Sequence, residues 1–412
     1  MPQSLLLLIA LVLGFIVGLV LRALGQPALA AGADYVVIVG EIWLRALQMV
    51  SLPLLIALFV TGIAGAGDVA ASGRIASRTL AWIALLVIGA GLLGTAVTLA
   101  FLALWPVDAA AGAALMAGMG TGEVSSAPPL RDWLINVVPT NPFASLAQGA
   151  ILSVVVFVLL FALALTRLPV QQRKPLLDFF ESLKHTMMVL VGWILQLAPV
   201  GAFALAVGMG LHGGAGAAGA IVHYLLLECV AGGAIILALY PLAALLGRIS
   251  PLRFSRAVAP PQIVAASTQS SLATLPAMLN AAQGPLEVPA RVAGVTLPIA
   301  VSVFKVTSAT MNLAVVLFTA HVLGLQISAG ALIAGLVVAW LVSFGVAGLP
   351  GASSFFASIV PIGLAMGVPT SLLAILIAVE VVPDLFRTVG NVTADVALTR
   401  IVARREASAA IH

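Results

Sequence analysis

The sequence predicts an all-α protein that crosses a membrane several times, and composition and apolar run length both support this. The 412-residue chain is 62% hydrophobic and only 8% charged, whereas a soluble globular protein carries roughly 25% charged residues. Apolar runs of about 20 residues recur along the chain, and each is long enough to cross a hydrocarbon core of about 30 Å as a helix. Because so few charges do not cover a water-facing surface, we expect lipid to surround most of the protein.

The first half of the chain follows an ordinary pattern of spanning helices. The opening run "LLLLIALVLGFIVGLVL" has no basic residues before it and no small-residue cleavage site after it, so we interpret it as a retained helix rather than a signal peptide. Pro53 is expected to kink the second helix, which a membrane helix tolerates. The predicted helices are 4–23, 37–64, 78–105, 146–166, 176–208 and 217–247.

After residue 250 the pattern changes to broken segments. Residues 262–290 are too polar and too interrupted at "TQSSLATLP" to span a bilayer, and 292–323 is a helix interrupted by "FKVTSATMN". Apolar arms at 330–349 and 355–367 flank "GLPGASS". Broken backbone at membrane depth occurs where it is buried in protein or lines a cavity, and paired broken segments indicate a transporter binding site. We therefore expect two helical hairpins, although composition alone also allows extramembrane loops.

Basic residues indicate the orientation of the chain. They cluster in alternate connections, which the positive-inside rule places in the cytoplasm: Arg74 and Arg78; Arg167, Arg173 and Lys174; Arg248, Arg253 and Arg256; Arg400, Arg404 and Arg405. The single Cys229 excludes an intrachain disulfide and a metal site built on cysteines.

The last predicted helix, from about 371 to 402, carries a polar stripe in an otherwise uncharged region. Starting from Glu380, the stripe continues with Asp384, Arg387, Asn391 and Asp395, which fall within a sector under about 90° wide on a helix. Charges inside a membrane face the protein interior and usually mark a substrate or ion path. The simpler alternative is that Asp384 and Arg387 only neutralise each other as a helix pair.

The segments "NPFASLAQGAIL", "LAPVGAFAL" and "DLFRTVGNVTAD" together resemble the glutamate transporter family, the dicarboxylate/amino acid:cation symporters. The resemblance runs from the first helix to the last and implies eight transmembrane helices, two re-entrant helical hairpins and inverted repeats. It also implies a homotrimer with an elevator-type mechanism. Residues 1–72 and 140–212 would form a static scaffold, while 73–106 and 213–412 would form the moving transport domain.

The same resemblance assigns roles to the polar stripe. Asp384 would bind the substrate ammonium and Arg387 its side-chain carboxylate. Asn391 would meet the main-chain carboxylate, and Asp395 is a cation ligand in coupled relatives. An arginine fork suits a carboxylate, so we expect aspartate or glutamate as substrate. A plain C4-dicarboxylate would leave Asp384 unpaired, and a neutral amino acid would leave Arg387 unpaired.

The hairpin tips resemble the family's substrate contacts and gate. In "QSSLATLP", Ser270 and Ser271 would contact substrate, although serines at that place also suit helix capping. In "AGLPGASS", Gly348, Pro350 and Gly351 would form a tight gating turn whose backbone approaches the ligand, Gly351 most closely.

The seventh helix departs from the family pattern. The family's Asn-Met-Asp-Gly-Thr motif falls on "FKVTS", where only Ser308 keeps a hydroxyl that would face substrate. Phe304 and Val306 replace the sodium-binding Asn and Asp, and hard cations need several oxygen ligands. A sodium site is therefore not expected, apart from a weak one at Asp395 and Asn391.

Lys305, in the same motif, is the basis of our main hypothesis. Losing an acidic residue and gaining a lysine adds about the charge of two monovalent cations, so its ammonium would replace bound sodium and compensate Asp384, Asp395 or the substrate. It is also a candidate to carry a coupling proton. The plainer alternative is a lysine whose side chain extends to the membrane–water interface.

Three other ionisable residues are candidates for binding a proton. Glu380 would pair with Lys305 or bind a proton. His223 and Glu228, in the sixth helix, are a weaker proton-relay candidate.

The sequence thus predicts a sodium-independent transporter of acidic amino acids in a bacterial inner membrane, with a proton as the candidate coupling ion and no other cofactor. Uncoupled exchange, a coupled C4-dicarboxylate or amino acid symporter and a non-transporting sensor stay open. An intramembrane enzyme is not expected, because the chain shows no nucleophile–base or metal motif.

Overall fold

A computed structural model describes residues 3–71, 73–117, 138–148, 151–345, 351–370 and 372–409. Within those ranges the regular structure is helical. The first half contains α1 Gln3–Leu24, α2 Pro27–Ala71, α3 Arg74–Leu104, α4 Ala109–Ala117, α5 Pro142–Ala147, α6 Ile151–Leu165, α7 Val170–Gln196, α8 Ala198–Gly208 and α9 Gly216–Gly247. The second half contains α10 Pro251–Thr268, α11 Ser271–Gln283, α12 Ala290–Val303, α13 Val306–Val322, α14 Ala329–Gly345, α15 Gly351–Ala365, α16 Leu373–Val379 and α17 Val381–Ala409.

Several helices are long and apolar enough to cross a membrane. Among the described residues these are Pro27–Ala46, Arg74–Leu104, Gly216–Gly247 and the broken pair Ala290–Val322. A fifth span is formed if α7 and the segment Ala198–Gly213, bent by 55°, count as one. The helical, multi-pass prediction is confirmed. The number of spans and the re-entrant placement of the hairpins stay predictions.

The second helix begins earlier and ends later than predicted. It starts at Pro27 rather than 37 and continues through Pro53 to Ala71. Only Gly25 and Gln26 separate it from α1, and Gly25 makes the turn with a φ of 61°. Proline at the first helical position and the alanines of "PALAAGADY" favour the earlier start.

The first broken segment also begins earlier than predicted. Its first arm starts at Pro251, not 262, because Ser250 accepts a hydrogen bond from the N–H of Arg253 and Pro251 takes the first helical position. The arms α10 and α11 pack against each other. Their break lies at Gln269, which adopts a left-handed conformation (φ 49°, ψ 33°).

Two buried clusters lie along the broken seventh helix, and the first of them includes the last helix. One joins α3, α10–α12, the start of α13 and α17, and includes Phe254, Met278 and Phe304. The other joins α2, α6–α8, the end of α13 and α14–α16, and includes Trp43 and Phe318. The break between α12 and α13 lies within the first cluster, α13 enters the second cluster from Leu313 onward, and α17 packs against both α12 and α13.

Basic residues from the predicted cytoplasmic connections meet at one end of α17. Arg74 and Arg78 pair with the buried Glu406 at 3.1 and 2.5 Å. Arg404 donates to the carbonyl of Leu246, at the end of α9. This clustering agrees with one shared cytoplasmic side for those connections.

Candidate substrate and coupling site

The break in the seventh helix consists of Phe304 and Lys305. Phe304 has an extended backbone (φ −92°, ψ 102°) and is fully buried. Lys305 precedes α13 without capping it by its own side chain. The predicted interruption therefore exists but is two residues long, and the following "VTSATMN" is helical. A break this short leaves the first N–H groups of α13 in need of partners inside the protein.

Asn391 supplies one of those partners. Its Oδ1 accepts from the N–H of Thr307 at 3.2 Å and from the Thr307 hydroxyl at 2.9 Å. The backbone donor fixes the orientation of the amide, because only the oxygen can accept. The NH₂ group is consequently the end of Asn391 that can donate to a carboxylate.

Thr307 is a site residue that sequence reasoning missed. Its hydroxyl also lies 3.1 Å from the carbonyl oxygen of Arg387, and a Cβ on Gly390 would come within 2.5 Å of Thr307 Cγ2. The hydroxyl next to Ser308 in "FKVTS" was the available signal. Thr307 fixes the approach of α17 to the broken helix, while Ser308 is half-buried beside it.

Arg387 lies in a buried cluster with two carboxylates. Its Nη2 is 2.7 Å from Glu380 Oε1 and 3.7 Å from Glu228 Oε2. Tyr224 donates its hydroxyl to Glu380 Oε2 at 2.7 Å. Glu228 and Tyr224 come from α9, and Glu380 lies between α16 and α17. Glu228 thus has a partner that the stripe alone did not predict.

These contacts correct two expected pairings. Glu380 pairs with Arg387 and not with Lys305. Asp384 is half-buried, and in the described part of the chain it forms no ion pair with Arg387. The helix-pair alternative therefore does not describe this arrangement. Asp384 lies one turn from Arg387 and is attracted by it without forming a close ion pair.

Lys305 and Asp395 form a looser charged pair. Lys305 Nζ donates to the carbonyl of Val301 at 3.1 Å, so the side chain folds back over α12. Its electrostatic attractions are to Asp395 and Asp384. Asp395 is fully buried, and neither carboxylate oxygen has a hydrogen-bond partner among the described residues. Lys305 is the cation that acts on this carboxylate.

The tip of the first hairpin contacts the last helix. Ser270 accepts from the N–H of Ala273 and caps α11, as its position allowed, and Ser271 is buried. Gln269 donates to the carbonyl of Val381 at 3.0 Å, which holds the tip near Asp384. In the second hairpin, Gly351 begins α15. The expected gate residues Gly348 and Pro350 lie outside the described residues.

Comparison with known proteins gives a consistent result. The sequence profile of the Sodium:dicarboxylate symporter family matches residues 4–405. The chain belongs to that family. Its members are transporters, so this protein is a multi-pass membrane transporter and not an enzyme.

Three relatives show the range of the family. The chain is 28% identical to the proton/sodium-glutamate symport protein of Bacillus subtilis over 96% of this chain and 90% of the relative. It is 28% identical to the proton/glutamate-aspartate symporter of Escherichia coli over 97% and 92%. It is 30% identical to the human neutral amino acid transporter B(0) over 95% and 78%.

Proposed function

We propose that this protein transports aspartate or glutamate across a bacterial inner membrane. The observation that carries the proposal is the buried guanidinium of Arg387, whose Nε has no hydrogen-bond partner among the described residues. Asp384, one turn away, forms no close ion pair with it among the described residues. A free donor on a planar fork suits a carboxylate, and a nearby carboxylate suits an ammonium. The two together select a zwitterion with an extra carboxylate.

The names of the two bacterial relatives support this substrate class. The remaining features follow from the family resemblance and are part of the proposal: a homotrimer, an elevator movement, a scaffold of residues 1–72 and 140–212, and a transport domain of 73–106 and 213–412. Asn391, Ser308, Ser270, Ser271 and Gly351 complete the substrate contacts in this proposal.

We further propose that transport is independent of sodium and coupled to protons, with Lys305 in place of a bound cation. The Oδ1 of Asn391 already accepts a hydrogen bond from the N–H of Thr307 and shares the Thr307 hydroxyl proton with the carbonyl of Arg387, which leaves it little capacity to bind a cation. The neighbouring Phe304 and Val306 offer no side-chain oxygen. Few ligands then remain for sodium beside Asp395. Both bacterial relatives are named for protons, and the Bacillus subtilis relative is also named for sodium. Sodium coupling is therefore the alternative to test.

A neutral amino acid is the second candidate substrate. The expectation that such a substrate would leave Arg387 unpaired was wrong, because Glu380 lies 2.7 Å from Arg387. The human relative is named a neutral amino acid transporter. Among the described side chains, the unpaired Nε of Arg387 favours the acidic class over the neutral one.

Competition experiments separate the candidates. Purified protein in proteoliposomes would take up labelled aspartate, with excess unlabelled glutamate, succinate or serine as competitor. We expect glutamate to compete and succinate and serine to fail. Strong competition by serine would establish the neutral class, and strong competition by succinate the C4-dicarboxylate class. Aspartate binding without uptake would indicate a sensor and overturn the proposal.

A further inference from the structure

The cluster around Arg387 holds more negative than positive charge. Two buried carboxylates, Glu228 and Glu380, lie within 3.7 Å of one guanidinium. The Tyr224 hydroxyl is a neutral donor to Glu380. Glu228 is fully buried, and neither of its oxygens has a hydrogen-bond partner among the described residues. Burial of a charged carboxylate without hydrogen bonds and without a close ion pair is unfavourable, so protonation of Glu228 is favoured.

The rest of the site does not correct this imbalance. On α17, Asp384 and Asp395 add two carboxylates, and Lys305, just before α13, adds one cation. The site then has four carboxylates and two cations. An acidic amino acid would bring a further net negative charge. Its carboxylate would approach the same guanidinium that the two glutamates already surround. Binding therefore requires positive charge that the described side chains do not provide.

Among the described residues, the elements packed against α9 bring no ionisable group to Glu228 other than those named. On α9, its neighbours are Tyr224 and Cys229, while His223 contacts the rings of Phe101, Trp105 and Phe318. Of the helices packed against α9, α4 has no ionisable group, and those of α17 that lie near the site are named above. The other packed elements carry ionisable groups only near their ends: Arg74 and Arg78 on α3, Arg253 and Arg256 on α10, His321 on α13, and His212 on the helical turn Met209–Gly213.

We propose that Glu228 binds the proton that enters with the substrate. This inference rests on the proposed function, since it assigns the coupling proton of the same site. A proton from the water on the side of substrate entry would attach to one Glu228 oxygen and leave on the opposite side with the substrate. Glu380 is the poorer acceptor, because the Tyr224 hydroxyl and the close Arg387 both favour its carboxylate form. With Glu228 neutral, Arg387 has one carboxylate partner and a free donor for the substrate.

Calorimetric titration of the detergent-solubilised protein with aspartate measures the linked proton directly. The binding heat in buffers of different ionisation enthalpy gives the number of protons taken up. For wild type we expect about one proton per aspartate, and an affinity that falls about tenfold per pH unit above the proton's working range. Glu228→Gln should bind aspartate with almost no linked proton and little pH dependence.

Matched variants distinguish a proton site from a structural counter-ion. Glu287→Gln removes an exposed carboxylate that pairs with Arg253 and should keep the wild-type proton count. If Glu228→Gln binds with the wild-type count, the inference is wrong even though the transporter proposal stands. If wild type does not bind aspartate, the proposed function itself fails.

A second measurement tests the proposal even if Glu228→Gln does not fold. The infrared difference spectrum of wild type with and without aspartate should show a new band from a protonated, buried carboxyl group. Glu228→Asp, which keeps the carboxyl but shortens its chain, should shift that band. An aspartate-induced spectrum without such a band, or one that Glu228→Asp leaves unchanged, would overturn the assignment.

Discussion

The two ends of the polar stripe on the last helix handle buried charge differently. At one end Arg387 contacts Glu380 at 2.7 Å and has Glu228 close by. At the other end Asp395 is buried without a hydrogen bond in the described structure, and the ammonium of Lys305 bonds a carbonyl oxygen instead. The Arg387 end thus has two carboxylates near one guanidinium. At the other end, Asp395 is attracted by the ammonium of Lys305 without a close ion pair. We infer that the first end receives substrate and proton, and that the second keeps the ammonium of Lys305 as a permanent cation.

Loss of Arg387 should have the largest effect. Arg387→Ala leaves Glu228 and Glu380 buried without their cation and removes the substrate donor, and such a loss costs about 2–5 kcal/mol. Aspartate affinity should fall by about a hundredfold or more, measured by calorimetry on protein shown to be folded. Arg253→Ala, at an exposed pair, is the control. Affinity within tenfold of wild type would remove Arg387 from the substrate site.

Replacing Lys305 tests the other end. Lys305→Met keeps the side-chain length but removes the charge, which leaves Asp395 without its cation, so aspartate uptake should fall by about tenfold to a hundredfold. Lys305→Arg should retain most of the uptake because the charge remains. If Lys305→Met transports like wild type while Lys305→Arg does not, the side chain acts by shape, and the tethered-cation hypothesis fails.

Thr307 connects the two ends, and its loss should have a moderate effect. Thr307→Val keeps the shape but removes the hydroxyl, whose single proton is shared between Asn391 Oδ1 and the carbonyl oxygen of Arg387. Such a hydrogen bond is worth about 1 kcal/mol. We expect aspartate to bind several-fold more weakly. Thr319→Val removes a hydroxyl that bonds only within its own helix and should bind normally. Equal effects of the two variants would mean that Thr307 does not position Asn391.

The smallest effect is expected far from the stripe. Glu406→Gln weakens the pairs with Arg74 and Arg78 that join the ends of α17 and α3. Because both arginines are partly exposed, we expect a loss of about 1 kcal/mol and a Tm lower by a few degrees. Asp178→Asn, in an exposed pair with Lys174, should change the Tm less. A normal Tm and altered aspartate binding in Glu406→Gln would instead connect this end to the site.

Much of the fold was predictable because apolar runs and polar breaks indicate where most helices begin and end. The sixth helix was predicted at 217–247 and is Gly216–Gly247. The start of α10 was missed because residues 251–261 contain two adjacent prolines, which disfavour a helix interior, although Ser250 and Pro251 carried a helix-start signal. Local composition predicts helices well, but a cap can start one ahead of residues that disfavour it.

The site was predictable only in part. Helical periodicity gives the face on which Glu380 and Arg387 lie, but not which residues of another helix meet that face. Tyr224 and Glu380 are 156 positions apart, and their contact depends on the rotation of α9 against α17. For the same reason the pairing of Glu380 with Lys305 was an incorrect expectation, and the role of Thr307 was not seen.

Aspartate uptake into proteoliposomes tests the central claim, the replacement of sodium by Lys305, most directly. Uptake would be compared between sodium and choline buffers, each with and without an inward proton gradient. We predict equal uptake in sodium and choline, and stimulation by the proton gradient in both. A steep dependence on sodium would contradict the account, because it would mean that other oxygens form the cation sites and that Lys305 does not replace the ion.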